Sequence, residues 1–153
     1  MKDRQSVVIN LPAEEIFAYL SDFENQVDWS AATIAVRKTS PGEIRVGATV
    51  RSTIQFLGRW MDITFEIVEY EPDCCLTIKS LSGLTPCLFT YQFEPTEDGA
   101  TNVSLETVIH LTGGTLGLTE SVTTNVVRRQ LVHDLLTLKD ILEAGAASSR
   151  SAI

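Results

Sequence analysis

Few polar residues of this 153-residue chain are placed to do chemistry, and its only histidines are His110 and His133. An imidazole at His110, beside a glycine-rich stretch, could act as an acid or base at a cavity mouth. Strand alternation nevertheless favours an exposed His110, and His133 lies off the apolar stripe of a predicted helix. Neither histidine has a carboxylate at ligand spacing, so the sequence predicts no metal site.

Three hydroxyl side chains share the predicted inner faces of strands. Tyr91 alternates in phase with Phe89 and Phe93, so its hydroxyl could reach a ligand, although a hydrogen-bonded core tyrosine would show the same pattern. Ser52 and Thr107 could orient a ligand carbonyl, but a filled interior tolerates them equally. Neither Ser52 nor Thr107 has a base adjacent in sequence, so nucleophilic catalysis is not supported.

The aromatic residues suggest a lining rather than a reaction. Phe56 and Phe65 alternate inward and are expected to line an interior space. Trp29 follows a short helical stretch, where it could pack in the core. Trp60 falls on the polar face of its strand, and an exposed tryptophan there could mark a protein-interaction surface.

Composition limits the partners and the compartment. With 20 Asp and Glu against 12 Lys and Arg, the net charge is −8, which argues against nucleic acid or an anionic membrane as the main partner. No apolar run is long enough to span a membrane, and the apolar residues 7–9 are too short for a signal peptide. We therefore expect a cytoplasmic protein with no stable membrane insertion.

The cysteines fit a reducing compartment. Cys74 and Cys75 are adjacent, so a bridge between them would be strained, and Cys87 lies alone in an apolar stretch. The sequence contains no CxxC spacing, so we expect small packing residues rather than a redox or metal role. The sequence implies no cofactor.

Hydrophobic periodicity predicts the elements that carry these side chains. A helix is expected from residue 12 to about residue 20, followed by a second short helical stretch at 23–29. From residue 33 to 110 the period is two, with a turn at Ser82-Gly83 among the connections. The predicted strands cover residues 6–10, 34–38, 50–56, 61–67, 76–80, 87–93 and 103–110.

A long helix is predicted after the glycine-rich residues 113–117, from 118 to about 144, with Gly145 as its end. Arg128 and Arg129 are expected on its solvated side. We expect one domain over residues 1–145 and a flexible tail at 146–153. The apolar stripe of this long helix is predicted to contain Leu118, Val122, Val126, Leu131, Leu135, Leu138 and Leu142.

The order of the elements predicts an α+β fold. Strands joined by short turns form antiparallel sheets, and alternation gives this sheet one apolar and one polar face. Only the long C-terminal helix can cover the apolar face. A seven-stranded sheet twists and curls, so we expect it to wrap around that helix.

The sequence resembles the START-like, or polyketide cyclase/dehydrase-like (SRPBCC), superfamily with the helix-grip fold. The resemblance rests on VVINLPAEEIFAYLSD at residues 7–22, Trp29, EIVEYEP at 66–72, and FTYQFEP at 89–95 followed by GAT at 99–101. It follows the order of elements over nearly the whole chain. These motifs form a helix start, a hairpin and turns, and none of them is a catalytic signature.

The resemblance implies a deep, mostly apolar cavity between the sheet and the long helix. Members of this superfamily bind or carry lipids, sterols, polyketides, quinones and plant hormones, and some cyclise or dehydrate polyketides. We expect binding of a small hydrophobic ligand, with residues 23–29 and 113–117 admitting it. The alternatives are a polyketide cyclase or dehydratase using Tyr91 or His110, and a protein-interaction module using Trp60; an oligomer is left open. The candidate ligand-binding residues are Trp29, Ser52, Phe56, Phe65, Phe89, Tyr91 and Thr107.

Overall fold

The computed structural model describes residues 1–82, 85–111 and 119–151, and side chains for all of these except 147–151. Gly83, Leu118 and the glycine-rich residues 113–117, on which predictions were made, lie outside that part. The strands are β1 (Lys2–Ile9), β2 (Thr33–Lys38), β3 (Thr49–Phe56), β4 (Arg59–Glu71), β5 (Cys75–Ser80), β6 (Cys87–Pro95) and β7 (Thr101–Ile109). The helices are α1 (Ala13–Ser21), α2 (Gln26–Trp29) and α3 (Glu120–Ser151), with a 3₁₀ turn at Phe23–Asn25.

The seven described strands form one antiparallel sheet in the order β1-β7-β6-β5-β4-β3-β2. Strands β2 to β7 neighbour each other in chain order because short connections return each strand beside the last. Leu57 and Gly58 join β3 to β4 with φ angles of 52° and 77°, the left-handed conformation that a two-residue hairpin requires. The predicted seven-stranded antiparallel sheet is confirmed.

Strand β1 is longer than the sequence indicates. It begins at Lys2 rather than residue 6, because it pairs with β7 from Lys2 opposite Val108 to Ile9 opposite Thr101. Strand β2 also departs from simple alternation, since its register shifts between Thr33 and Ala35. This bulge puts Thr33 inside and leaves Ile34 exposed, whereas Val36, two residues further along the strand, is half-buried.

Helix α1 begins after Pro12, whose fixed φ suits a helix start, and has Glu14 and Glu15 in its first turn. Its apolar face packs on the sheet, where the ring of Phe17 lies 5.3 Å from that of Tyr70 and 5.4 Å from that of Phe93. This end of the molecule is therefore a filled core. The buried residues of α1 are Ile16, Phe17 and Leu20.

Helix α3 packs against β1 and α2, and its C-terminal half buries Leu135 and Leu138. The helix continues to Ser151, so the predicted end at Gly145 is wrong; the division into a domain and a tail stays a prediction. Val122 is 46% exposed, which contradicts its placement on the apolar stripe. In the described part of the chain, no helix has the length and apolarity to cross a membrane.

Candidate ligand-binding cavity

A cavity of about 180 Å³ lies between the N-terminal half of α3, helix α2 and the inner face of the sheet. Its wall is mostly apolar because alternating strand residues point toward α3. The apolar side chains that line it are Trp29, Ala32, Ile54, Phe56, Met61, Ile63, Phe65, Ile78, Cys87, Phe89, Leu105, Ile109, Leu111, Val127 and Leu131. Space at this end contrasts with the filled core beneath α1.

Two edge-to-face aromatic pairs fix the shape of the wall. The ring centroids of Trp29 and Tyr91 lie 6.4 Å apart with planes at 85°, and those of Phe65 and Phe89 lie 6.0 Å apart at 62°. Both arrangements are favourable for aromatic quadrupoles and resist rotation of the rings. The cavity therefore presents flat, rigid aromatic surfaces from α2, β4 and β6.

One region of the wall is polar and surrounds Asp134, which is 4% exposed. Its Oδ1 accepts hydrogen bonds from the Ala31 backbone N–H at 3.1 Å and from Gln130 Nε2 at 3.0 Å. Its Oδ2 accepts a longer bond of 3.4 Å from Ser30 Oγ, and Thr33 Oγ1 donates to Ser30 Oγ at 3.0 Å. We call Ser30, Thr33, Gln130 and Asp134 the Asp134 cluster.

Burial dominates the electrostatics of this cluster. Loss of solvent raises the pKa of Asp134 above its ordinary value, and the hydrogen bonds from Ala31, Gln130 and Ser30 oppose that change only in part. Burial, and secondarily the negative charge of Asp134, raises the pKa of the Tyr91 hydroxyl. Tyr91 is therefore a neutral hydrogen-bond donor, and its hydroxyl donates to no described residue.

Five of the seven candidate residues line the cavity, namely Trp29, Phe56, Phe65, Phe89 and Tyr91. Ser52 and Thr107 are buried on inner strand faces, but they are not among the described residues that line it. The Oγ1 of Thr107 has no hydrogen-bond partner in the described part of the chain. The ligand-binding role of all seven stays a prediction.

Sequence reasoning missed the polar residues that α3 contributes, namely Thr123, Gln130 and Asp134. The signal was a helical spacing of four between Gln130 and Asp134, which repeats the spacing between Val127 and Leu131. The apolar stripe alone predicts an inner face of α3 whose centre lies about one residue away from the face that borders the cavity.

The other residues considered for chemistry lie outside the cavity wall. His110 and His133 are exposed, as predicted, and Trp60 is 63% exposed. Arg128 is exposed, as predicted, and its Nε also forms a salt bridge of 3.0 Å with the buried Asp3 Oδ1 of β1. It therefore links α3 to the sheet edge.

Within the described residues, one group could offer three ligand atoms to a metal ion: Glu71, Cys74 and Cys75, with those atoms within 4.8 Å of one another. The group lies at the turn between β4 and β5, and none of its members lines the cavity. Burial, followed by the effect of Glu69, raises the pKa of the Cys75 thiol to about 12. A structural metal site usually needs four protein ligands, and the described residues supply three at this turn, so we assign no metal centre.

Over residues 2–143, the chain matches the family described as polyketide cyclase/dehydrase and lipid transport. No curated protein sequence matches it significantly. Among solved structures it is similar to the protein TTHA0849 from Thermus thermophilus, with a TM-score of 0.80, 17% identity, and coverage of 95% of this chain and 99% of that one.

Two further structures share the architecture. A START superfamily protein from Mycobacterium smegmatis gives a TM-score of 0.79 at 13% identity, covering 94% of this chain and 97% of that one. The ZhuI aromatase/cyclase from Streptomyces sp. R1128 gives 0.75 at 17% identity, covering 94% and 93%. These likenesses establish the helix-grip fold.

Proposed function

Because the chain belongs to the polyketide cyclase/dehydrase and lipid transport family, we propose that it binds a small, mostly apolar molecule in the cavity beneath α3. The observation that carries this proposal is the apolar space itself, between a rigid aromatic wall and the helix. Removing apolar ligand surface from water would drive binding, at about 25 cal/mol per Å². Two expectations belong to this proposal. The acidic charge argues against a polyanionic partner, and the cysteine pattern and the short apolar piece at residues 7–9 favour a cytoplasmic location.

The size of the cavity limits the bound group. A dry apolar cavity of about 150 Å³ accommodates benzene, whereas pockets for drug-sized ligands measure about 300–1,000 Å³. At about 180 Å³, the described cavity is suited to one substituted ring or a short branched chain. A larger lipid or polyketide would have to widen it or leave part of its length outside.

A toluene titration tests this proposal. Toluene at about 100 times its dissociation constant should raise the free energy of unfolding by about 2.7 kcal/mol, measured by urea denaturation in sealed cells. Val127→Phe should abolish the increase, because it places a ring in the cavity from α3.

Val122→Phe is the matched control, since Val122 is exposed on the same helix. It should retain the response to toluene. If toluene stabilises Val127→Phe as strongly as wild type, or if Val122→Phe loses the response that wild type shows, the proposal is wrong.

A cyclase or dehydratase is the second candidate, favoured by a hydroxyl and a carboxyl group in the same apolar cavity. In that reading the cavity folds a polyketide-like chain and Tyr91 moves a proton. Consumption of a synthetic poly-β-ketone that Tyr91→Phe abolishes, with toluene binding intact, would establish it. Equal consumption with and without the protein would leave ligand binding alone.

A further inference from the structure

The polar part of the cavity has unused hydrogen-bonding capacity at two neighbouring side chains. A carboxylate has about four lone-pair positions. The two short bonds that Asp134 accepts, from Ala31 and Gln130, both go to Oδ1. Its Oδ2 receives only the bond of 3.4 Å from Ser30, and the side chain borders the cavity. Oδ2 is thus an acceptor available to a ligand.

Tyr91 supplies the complementary group. It lines the same cavity, and its hydroxyl donates to no described residue, although the side chain is 5% exposed. Its ring is held by Trp29 on one side, and it lies opposite Leu76 and Leu105 on the flanking strands. Burial therefore leaves this hydroxyl little contact with bulk water, and a ligand acceptor would satisfy it.

We propose that the ligand carries a neutral hydroxyl group of the phenol or alcohol type, which donates to Asp134 Oδ2 and accepts from the Tyr91 hydroxyl. This proposal rests on the proposed function and specifies its ligand class. A hydroxyl group offers both a donor and an acceptor, whereas an ammonium group offers only donors. A carboxylate would bring a second negative charge beside Asp134, so fatty acids and other anionic lipids are disfavoured.

The Asp134 cluster also explains why a bare hydrocarbon is not the best ligand. An apolar ligand group placed against Asp134 Oδ2 would exclude water from this oxygen without supplying a hydrogen bond in its place. Within the described residues, Asp134 forms no salt bridge that would satisfy its charge instead. A hydroxyl ligand restores that missing interaction.

Four probes that share one methylphenyl scaffold test the proposal on the full chain: toluene, p-cresol, p-toluate and p-methylbenzylamine. Titration at neutral pH should show p-cresol binding at least tenfold more tightly than toluene, and p-toluate more weakly than either. Equal affinities for p-cresol and toluene, or tighter binding of p-toluate or the amine than of p-cresol, would overturn it. Binding of none of the four would instead refute the proposed function and this inference with it.

Two variants of α3 test whether Asp134 causes the preference for p-cresol over toluene. Asp134→Asn should reduce the preference for p-cresol over toluene at least fivefold and improve p-toluate binding, because the charge is gone and an amide donor replaces an acceptor. Continued binding of toluene by this variant reports an intact cavity. Asp140→Asn, at an exposed position of the same helix, should keep the wild-type preference. An Asp134→Asn protein that still prefers p-cresol to the same degree would contradict the assignment.

Discussion

Two leucines that flank Tyr91 provide a test of whether the cavity is a real void. Leu76 on β5 and Leu105 on β7 both lie opposite Tyr91, and neither is more than 2% exposed. Leu105 borders the cavity, whereas Leu76 is not among its described lining residues. The two positions therefore match in residue type, burial and sheet environment. They differ because the side chain of Leu105 faces the cavity and that of Leu76 does not.

Truncation to alanine should cost these positions different amounts. Removing a leucine from a filled core costs about 2–5 kcal/mol, growing by about 24 cal/mol per Å³ of cavity created. Leu76→Ala should fall in the upper half of that range. Leu105→Ala should cost about 1 kcal/mol less than Leu76→Ala, because part of its surface already lacks dispersion contacts.

Urea denaturation of both variants without ligand measures the difference. As a second readout, Leu105→Ala joins new space to the existing cavity, so it should bind naphthalene better than wild type, whereas Leu76→Ala should not. Equal costs, or a larger cost at Leu105, would mean that the interior is filled there. The ligand-binding and enzymatic proposals would then both lose their basis.

Two further predictions concern charged groups of α3. Arg128→Ala should lower the free energy of unfolding by about 1–3 kcal/mol, because it removes the cation that forms a salt bridge with the buried Asp3 carboxylate. Arg129→Ala, at the exposed neighbouring position, is the control and should change the free energy of unfolding by less than about 0.5 kcal/mol. Equal effects of the two substitutions would refute a stabilising role of the Arg128–Asp3 salt bridge. Asp134 has a raised pKa in the folded state, so its stabilising contribution is complete below the unfolded pKa and is lost as pH rises through the folded value. The stability of wild type relative to Asp134→Asn should therefore fall as pH rises above the unfolded pKa of about 3.9, and a flat difference would contradict this.

The sequence predicted the sheet because each strand carries its own signal. Ile63, Phe65 and Ile67 alternate with polar residues, and all three are buried in β4. The start of β1 had no such signal, since residues 2–5 are polar and become a strand only through pairing with β7. Pairing over about a hundred residues of sequence is a tertiary effect that local periodicity does not contain.

The cavity could be anticipated only in part. Alternation identifies which side chains point inward, which is why five candidate residues lie in the wall. It cannot distinguish side chains that meet across the interior from side chains that leave a gap, because both give the same pattern. Gln130 and Asp134 escaped notice for a related reason: polar residues on a helix are ordinarily solvated, and only the segment that follows α2, which contacts Asp134, explains why Asp134 is buried and Gln130 is half-buried.

The position of Asp134 argues for function more than for stability. A buried carboxylate loses several kcal/mol of hydration, and the described residues return three hydrogen bonds but no salt bridge. The next residue, Leu135, shows what the same helix places in its filled core. A fold that needed only packing would be more stable with an apolar side chain at 134, where the wall is otherwise apolar. Retaining an acceptor there is understandable if a ligand completes its hydrogen bonds, because the cost to the empty protein is then recovered as selectivity for the molecule that fills it.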